Sequence, residues 1–234
     1  MAKKFQLDGK VVANEWVTAS YFKMTLSFQT LPEILPGQFA ELRIDQTPSV
    51  FLRRPISIHD VRPETNQVDL LIQKVGDGTE WLSERKAGDI VNLVFPLGNG
   101  FTTNLTTNKP VLLVGGGVGI APLLHLGGFL AQNGIKVQFL LGFRKKADIL
   151  PLNAYTAVGD VFITTEDGSE GEKGFVTNHS VWNDADFARI YSCGPTPMMK
   201  AVVQMARTKN IDCEVSLENK MARGVGACLC CVSP

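Results

Sequence analysis

The sequence predicts a two-part chain: an antiparallel β-barrel first, then an α/β unit built on a parallel sheet, with a short cysteine-rich tail. Three observations carry this. Up to about residue 100, short segments rich in Val, Leu, Ile and Phe alternate with Gly- and Pro-containing turns, the pattern of an all-β barrel. From about residue 110, continuous apolar runs alternate with helix-period segments, the pattern of a parallel sheet covered by helices. After Glu218 periodicity gives way to Gly and Cys. The expected divisions are residues 1–103, 104–217 and 218–234.

Within the first part, strands are expected at Lys10–Val17, Phe22–Phe28, Gln38–Ile44, Val68–Lys74 and Ile90–Phe95. Pro36-Gly37, Gly76-Asp77-Gly78, Gly88-Asp89 and Pro96-Leu97-Gly98-Asn99-Gly100 punctuate them. Thr79–Lys86 is the one helix expected there. In the second part, Pro110–Val114, Lys136–Gly142, Asp160–Thr165, Arg189–Ser192 and Asp212–Leu217 read as strands. Helices are expected over Ala121–Asn133 and Thr196–Lys209, and the polar segment Thr102–Lys109 reads as the linker.

Composition narrows the function classes. The 234 residues are 44% hydrophobic, enough for a substantial core, and 23 basic residues balance 23 acidic ones. Nothing in that balance suggests a nucleic-acid or membrane-surface partner. No apolar run follows Lys3 and Lys4 as in a signal peptide, and none reaches the ~18 residues of a membrane span. A soluble cytoplasmic protein is expected. Of the five cysteines, Cys193 and Cys213 stand alone, while Cys228, Cys230 and Cys231 crowd the end. An odd count with terminal clustering argues for a metal, cluster or redox-thiol site over a disulfide framework.

Five motifs carry candidate chemistry. Gly115-Gly116-Gly117-Val118-Gly119 lies between a buried strand and a helix, where bare backbone approaches a pyrophosphate and the helix start favours its charge. Arg53-Arg54-Pro55-Ile56-Ser57-Ile58 offers Arg54 as a fixed cation and Ser57 as a donor; an ordinary strand end fits it equally well. Gly76-Asp77-Gly78-Thr79 combines amides and a hydroxyl at a helix start, or is simply a turn with a capping Thr. Cys193-Gly194-Pro195 follows a strand's carboxyl end, where α/β sheets bind ligands, and a buried structural cysteine is the alternative. In Ala222–Cys231, Cys228 and Cys231 form a C-x2-C pair of the kind that holds iron–sulfur clusters; a zinc half-site or redox thiols are the alternatives. The histidines form no catalytic constellation, with His59 expected on a strand, His125 on a helix and His179 exposed.

In order, Pro36-Gly37-Gln38-Phe39, Arg54-Pro55-Ile56-Ser57, Gly76-Asp77-Gly78-Thr79, Pro96-Leu97-Gly98-Asn99-Gly100-Phe101, Gly115–Pro122 and Cys193-Gly194-Pro195 resemble the ferredoxin–NADP reductase superfamily, over nearly the whole chain. Thr165-Glu166-Asp167-Gly168-Ser169 with Gly174, and Leu217–Cys228, resemble within it the electron-transfer subunits of bacterial dihydroorotate dehydrogenase B. The resemblance implies a barrel that holds FAD through Arg54, Pro55, Ile56, Ser57, the strand backbone of Leu71, Ile72 and Gln73, and Gly78 and Thr79. It implies a Rossmann-like unit that presents NAD through Gly115, Gly116, Gly117, Gly119, Cys193, Gly194 and Pro195, with Cys193 beside the nicotinamide. It further implies a [2Fe–2S] cluster held at Cys228 and Cys231. The partner implied is an FMN-containing dihydroorotate dehydrogenase catalytic subunit, in a heterotetramer.

This sequence departs from that pattern at the tail. Arg223 stands where family members carry a cysteine ligand, and no fourth cysteine follows Cys231. Cys230 is an extra thiol that offers a substitute. The chain is thus either a truncated or altered form that cannot hold a full cluster, or one that ligates a cluster differently. Nucleotide preference is similarly open on local sequence: Arg144, Lys145 and Lys146 suit a 2′-phosphate, whereas Glu166 and Asp167 favour free ribose hydroxyls and point to NAD. Two other functions fit the two-part fold, a stand-alone ferredoxin- or flavodoxin-type reductase and a flavin-dependent redox sensor without catalysis.

Overall fold

In the computed structural model, which describes residues 3–45, 50–183 and 186–216, the chain divides into two compact units between Gly100 and Phe101. The first contains β1 (Phe5–Trp16), β2 (Tyr21–Ser27), β3 (Phe39–Leu42), β4 (Arg54–Arg62), β5 (Gln67–Gln73), α1 (Asp77–Ser83) and β6 (Ile90–Leu97). The six strands close into a barrel in the order β1-β2-β5-β4-β3-β6, every neighbour antiparallel. Alternating inward residues fill it: Phe22, Met24 and Leu26 from β2, Leu70 and Ile72 from β5, and Leu93 and Phe95 from β6 belong to one buried cluster. Closure gives every strand two neighbours over at least part of its length, which limits the open edge that a small antiparallel sheet offers to other chains.

The second unit contains β7 (Val111–Gly116), α2 (Ala121–Gln132), β8 (Val137–Phe143), α3 (Asn153–Thr156), β9 (Asp160–Thr165), β10 (Glu172–Lys173), β11 (Arg189–Cys193), α4 (Thr196–Thr208) and β12 (Cys213–Ser216). Its sheet is parallel throughout, in the order β10-β9-β8-β7-β11-β12. Central β7 is buried along its whole length, which is why it reads as an unbroken apolar run. Leu112, Val114, Leu140, Ile190, Val202 and Ala206 form the core between the sheet and α4.

Several expectations need correction. Strand β1 starts five residues before the expected Lys10, because its first half pairs with β6 and only its second half with β2. The helix expected over Thr79–Lys86 is α1, which begins two residues earlier and ends at Ser83. His179, expected to be exposed, is buried, with Val181 N–H donating to its Nδ1 at 2.9 Å and Glu172 Oε1 3.3 Å from its Nε2. Burial pulls its pKa down, against the pull of Glu172. His59 is on β4 and His125 on α2, as read. Residues 217–234, including Arg223, Cys228, Cys230 and Cys231, lie outside the described residues. Among the described residues no helix is long and apolar enough to cross a membrane.

Candidate functional site

In the barrel unit, the decisive local feature is a change of partner by β4. Residues 58–62 of β4 pair with β5, Ile58 opposite Leu70. Residues 54–57 pair instead with β3, Ser57 opposite Phe39 and Arg54 opposite Leu42. Beyond Leu70, β5 continues as Leu71, Ile72 and Gln73 against β2 alone. Arg54–Ser57 and Leu71–Gln73 therefore diverge with no ladder pairing between them. This brings two separate sequence motifs to the two sides of one gap, each side with backbone donors and acceptors that must find partners elsewhere.

Helix α1 follows β5 directly and adds the third motif. A Cβ at Gly78 would lie 2.6 Å from Arg54 Nε and 3.2 Å from its Cγ, so the arginine stem packs on the bare backbone of Gly78. Arg54 Nη1 donates to Leu52 O at 2.9 Å. Thr79 serves the turn itself: its hydroxyl accepts from Val75 and Gly76 N–H at 2.9 and 3.1 Å and donates to Gly76 O at 2.9 Å. The hydroxyl read as an anion donor is thus committed, and Thr79 shapes the approach instead. The opposite end of α1 is tied to β1 by Asn14, whose amide donates to Leu82 O, Ser83 O and Arg85 O at 3.0, 3.3 and 2.9 Å. Sequence reading missed Asn14, since a lone polar residue in a strand carries no local signal of a partner 68 positions away.

Neighbouring Arg53 is structural. It donates to Glu41 O, Asn92 O and Asn92 Oδ1 at 3.2, 3.1 and 2.6 Å, and Asn92 donates on to Asp8 at 2.6 Å.

In the parallel-sheet unit, the glycine run ends central β7, and Gly117–Ile120 forms a 3-10 turn leading into α2. Residues Cys193-Gly194-Pro195 end β11, the adjacent strand, with Cys193 opposite Gly115. The two turns pack backbone to backbone. A Cβ at Gly119 would lie 2.4 Å from Gly194 Cα and 2.5 Å from Cys193 O. A Cβ at Gly116 would meet Met198 Sδ at 2.6 Å, and one at Gly115 would meet Ile120 and Leu123. The glycines are thus needed first for the mutual approach of the two turns, a role the sequence reading did not give them. Cys193 is buried.

At the carboxyl ends of β8 and β9, the segment Arg144–Lys146 lies beside the turn Glu166–Gly171, with Glu166 N–H donating to Phe143 O at 3.1 Å and Asp167 N–H to Arg144 O at 3.3 Å. Both contested sets of residues for nucleotide preference are therefore adjacent. Cys213, on edge strand β12, has its thiol pKa pushed up to about 11 by burial and by Glu214, so it is protonated at neutral pH. Among the described residues no three His, Cys, Asp or Glu side chains converge to hold a metal ion.

Residues 113–204 match the oxidoreductase NAD-binding domain family. The chain is 38% identical over 229 residues to the dihydroorotate dehydrogenase B (NAD(+)) electron transfer subunit of Bacillus pumilus, covering 95% of this chain and 86% of that protein. With the subunit of the same description from Shouchella clausii it shares 43% identity over 198 residues, 84% of this chain and 76% of the relative. Among solved structures, an NADH-dependent reduced ferredoxin–NADP oxidoreductase, studied for flavin-based electron bifurcation, superposes with a TM-score of 0.84 at 30% identity, over 94% of this chain and 79% of that one. A ferredoxin reductase of carbazole 1,9a-dioxygenase, at 22% identity and a TM-score of 0.74 over 91% of this chain and 69% of that one, shares the fold. By its identity to these relatives over almost its entire length, the chain belongs to the family of electron transfer subunits of dihydroorotate dehydrogenase B, oxidoreductases with a ferredoxin-reductase-like fold.

Proposed function

We propose that this chain carries electrons between an FMN-containing, dihydroorotate-oxidising catalytic subunit and NAD in pyrimidine biosynthesis, with FAD held on the barrel unit. The two chains would form a heterotetramer. The observation that carries the reading is the gap between Arg54–Ser57 and Leu71–Gln73, closed at one end by Gly78 packed on Arg54. Such a gap offers what a flat, polar-edged ring with a diphosphate tail requires. Its two strand edges present unpaired backbone groups, Ser57 adds a hydroxyl, and Arg54 holds a permanent cation for the phosphates. A bound flavin supplies the exchange between single electrons and a hydride pair.

The NAD-binding family match and the adjacent glycine turns of β7 and β11 support dinucleotide binding at the carboxyl edge of the parallel sheet. There Gly117–Gly119 would offer bare backbone to the pyrophosphate, and Cys193-Gly194-Pro195 would wall the nicotinamide end. The relatives' description as NAD(+) proteins favours NAD over NADP. Within the tail, Arg223 does not fit the place of a [2Fe–2S] ligand. Cys228, Cys230 and Cys231 supply thiolates, whereas the Arg223 guanidinium has no lone pair to give.

Reconstitution with FAD followed by anaerobic addition of NADH tests the proposal. The protein is expected to turn yellow and then to bleach. A colourless protein, or a flavin that NADH leaves oxidised, would overturn it. Iron analysis of the same sample is expected to give fewer than two irons per chain with Arg223 in a ligand's place, and a full complement would show that another group takes that place.

A further inference from the structure

We propose that the turn Thr165–Gly171 is a specificity-determining element that disfavours a 2′-phosphate by setting the carboxylate of Glu170 against the ammonium of Lys146. This rests on the reading of the parallel-sheet unit as a dinucleotide site.

Lys146 closes a run of three basic residues at the carboxyl end of β8, where a 2′-phosphate would otherwise find cations. Its main-chain N–H donates to Ser169 Oγ at 2.8 Å, and its ammonium lies 2.7 Å from Glu170 Oε2. One turn thus takes the main-chain N–H of Lys146 and sets a carboxylate against its ammonium. Ser169 in turn donates through Oγ and N to Asp167 Oδ1, at 2.5 and 2.9 Å. The carboxylate of Asp167 is thereby occupied as well, and Glu166 is left as the acid that faces solvent without a side-chain bond among the described residues.

The turn is fixed in place. Thr165 Oγ1 donates to Glu170 O at 2.7 Å and accepts from Glu170 N–H at 3.0 Å, and Gly174 N–H donates to Thr165 O at 2.9 Å. Gly168 and Gly171 have φ of 77° and 66°, and a Cβ at Gly171 would lie 2.1 Å from Ile163 O. Only a left-handed glycine lets the turn fold this closely onto β9. Glu170 is therefore anchored through its backbone, and its side chain can be changed without undoing the turn. Arg144 and Lys145 make no side-chain ion pair among the described residues, so Glu170 lowers the positive charge of the segment at Lys146 alone.

The test compares binding of adenosine 5′-monophosphate and adenosine 2′,5′-bisphosphate to the wild-type protein, Glu170→Gln, and the double variant Glu170→Gln/Lys146→Gln, by calorimetry at low ionic strength. Glu170→Gln is expected to bind the bisphosphate about fivefold or more tighter, with the monophosphate little changed, because a freed ammonium gains a charge-assisted bond to the extra phosphate. The double variant is expected to lose the gain. An unchanged bisphosphate affinity, an equal gain for both nucleotides, or a gain that survives removal of Lys146 would each overturn the inference. Nucleotide binding is read without flavin chemistry. A wild-type flavin that no dinucleotide reduces would therefore sink the proposed electron transfer while these titrations still decide the role of the turn.

Discussion

The paired arginines at the start of β4 divide their work according to what surrounds them. Arg53 is drawn inward by three acceptors across β3 and β6, and burial, with Arg43 nearby, lowers its pKa without threatening its charge. Arg54 keeps its guanidinium beside Gly78 and the unpaired strand edges. Arg54→Ala is expected to weaken FAD binding about tenfold to hundredfold, the loss of roughly 1.5–3 kcal/mol from a charge-assisted bond, with little change in melting temperature. Arg53→Ala is expected to lower the melting temperature instead; flavin titration and thermal melting separate the two. Asp69 gives the barrel an acid limit. Burial alone would raise its pKa, but Arg62, Thr25 and Lys23 outweigh burial and leave it below the ordinary 3.8. A carboxylate depressed in the folded state stabilises above its unfolded pKa, and that contribution disappears as pH falls through the folded value. Urea midpoints should therefore fall as pH drops below about 4, and Asp69→Asn should flatten that limb while lowering stability at neutral pH by roughly 2 kcal/mol.

Among the elements, α1 shows how long-range contacts set what local sequence leaves open. With seven residues it is too short to persist on its own, and Asn14 from β1 satisfies three carbonyls at its carboxyl end. Asn14→Ala is expected to cost roughly 1–3 kcal/mol and to weaken FAD binding indirectly, because Gly78 and Thr79 ride on this helix; hydrogen exchange should show the loss of protection centred on α1. The same contrast explains how much was legible. Strands β2, β5, β6, β7 and β9 were readable because each carries its own alternating or continuous apolar pattern. The motifs were readable because Gly, Pro and Arg stand at fixed local spacing. The partner change of β4, the packing of Gly119 on Gly194 and the closed bonding of Thr79 were not, since each depends on residues brought from elsewhere in the chain. His179 was misread because its burial comes from Phe162 and from the turn that follows it, which no local periodicity records.

For the molecule as a whole, each unit has its own buried cluster, one inside the barrel and one between the parallel sheet and α4. Separate cores let each unit tolerate a lesion that the other does not feel. Gly119→Ala tests this where the two glycine turns of the second unit meet. The added Cβ meets main-chain atoms of Cys193 and Gly194 at 2.4–2.6 Å, and backbone cannot step aside as a side-chain end can. The two turns must therefore part, at a cost of about 1–3 kcal/mol or more to that unit. Reduction of the flavin by NADH is expected to be lost or nearly lost. The flavin-to-protein ratio is expected to stay at the wild-type value, and photoreduction should still bleach the bound flavin, because Arg54, the strand gap and Gly78 all belong to the barrel unit. Release of the flavin by this substitution would show that the two cores are not independent, and NADH reduction at the wild-type rate would show that the contact between the glycine turns has no part in presenting the dinucleotide.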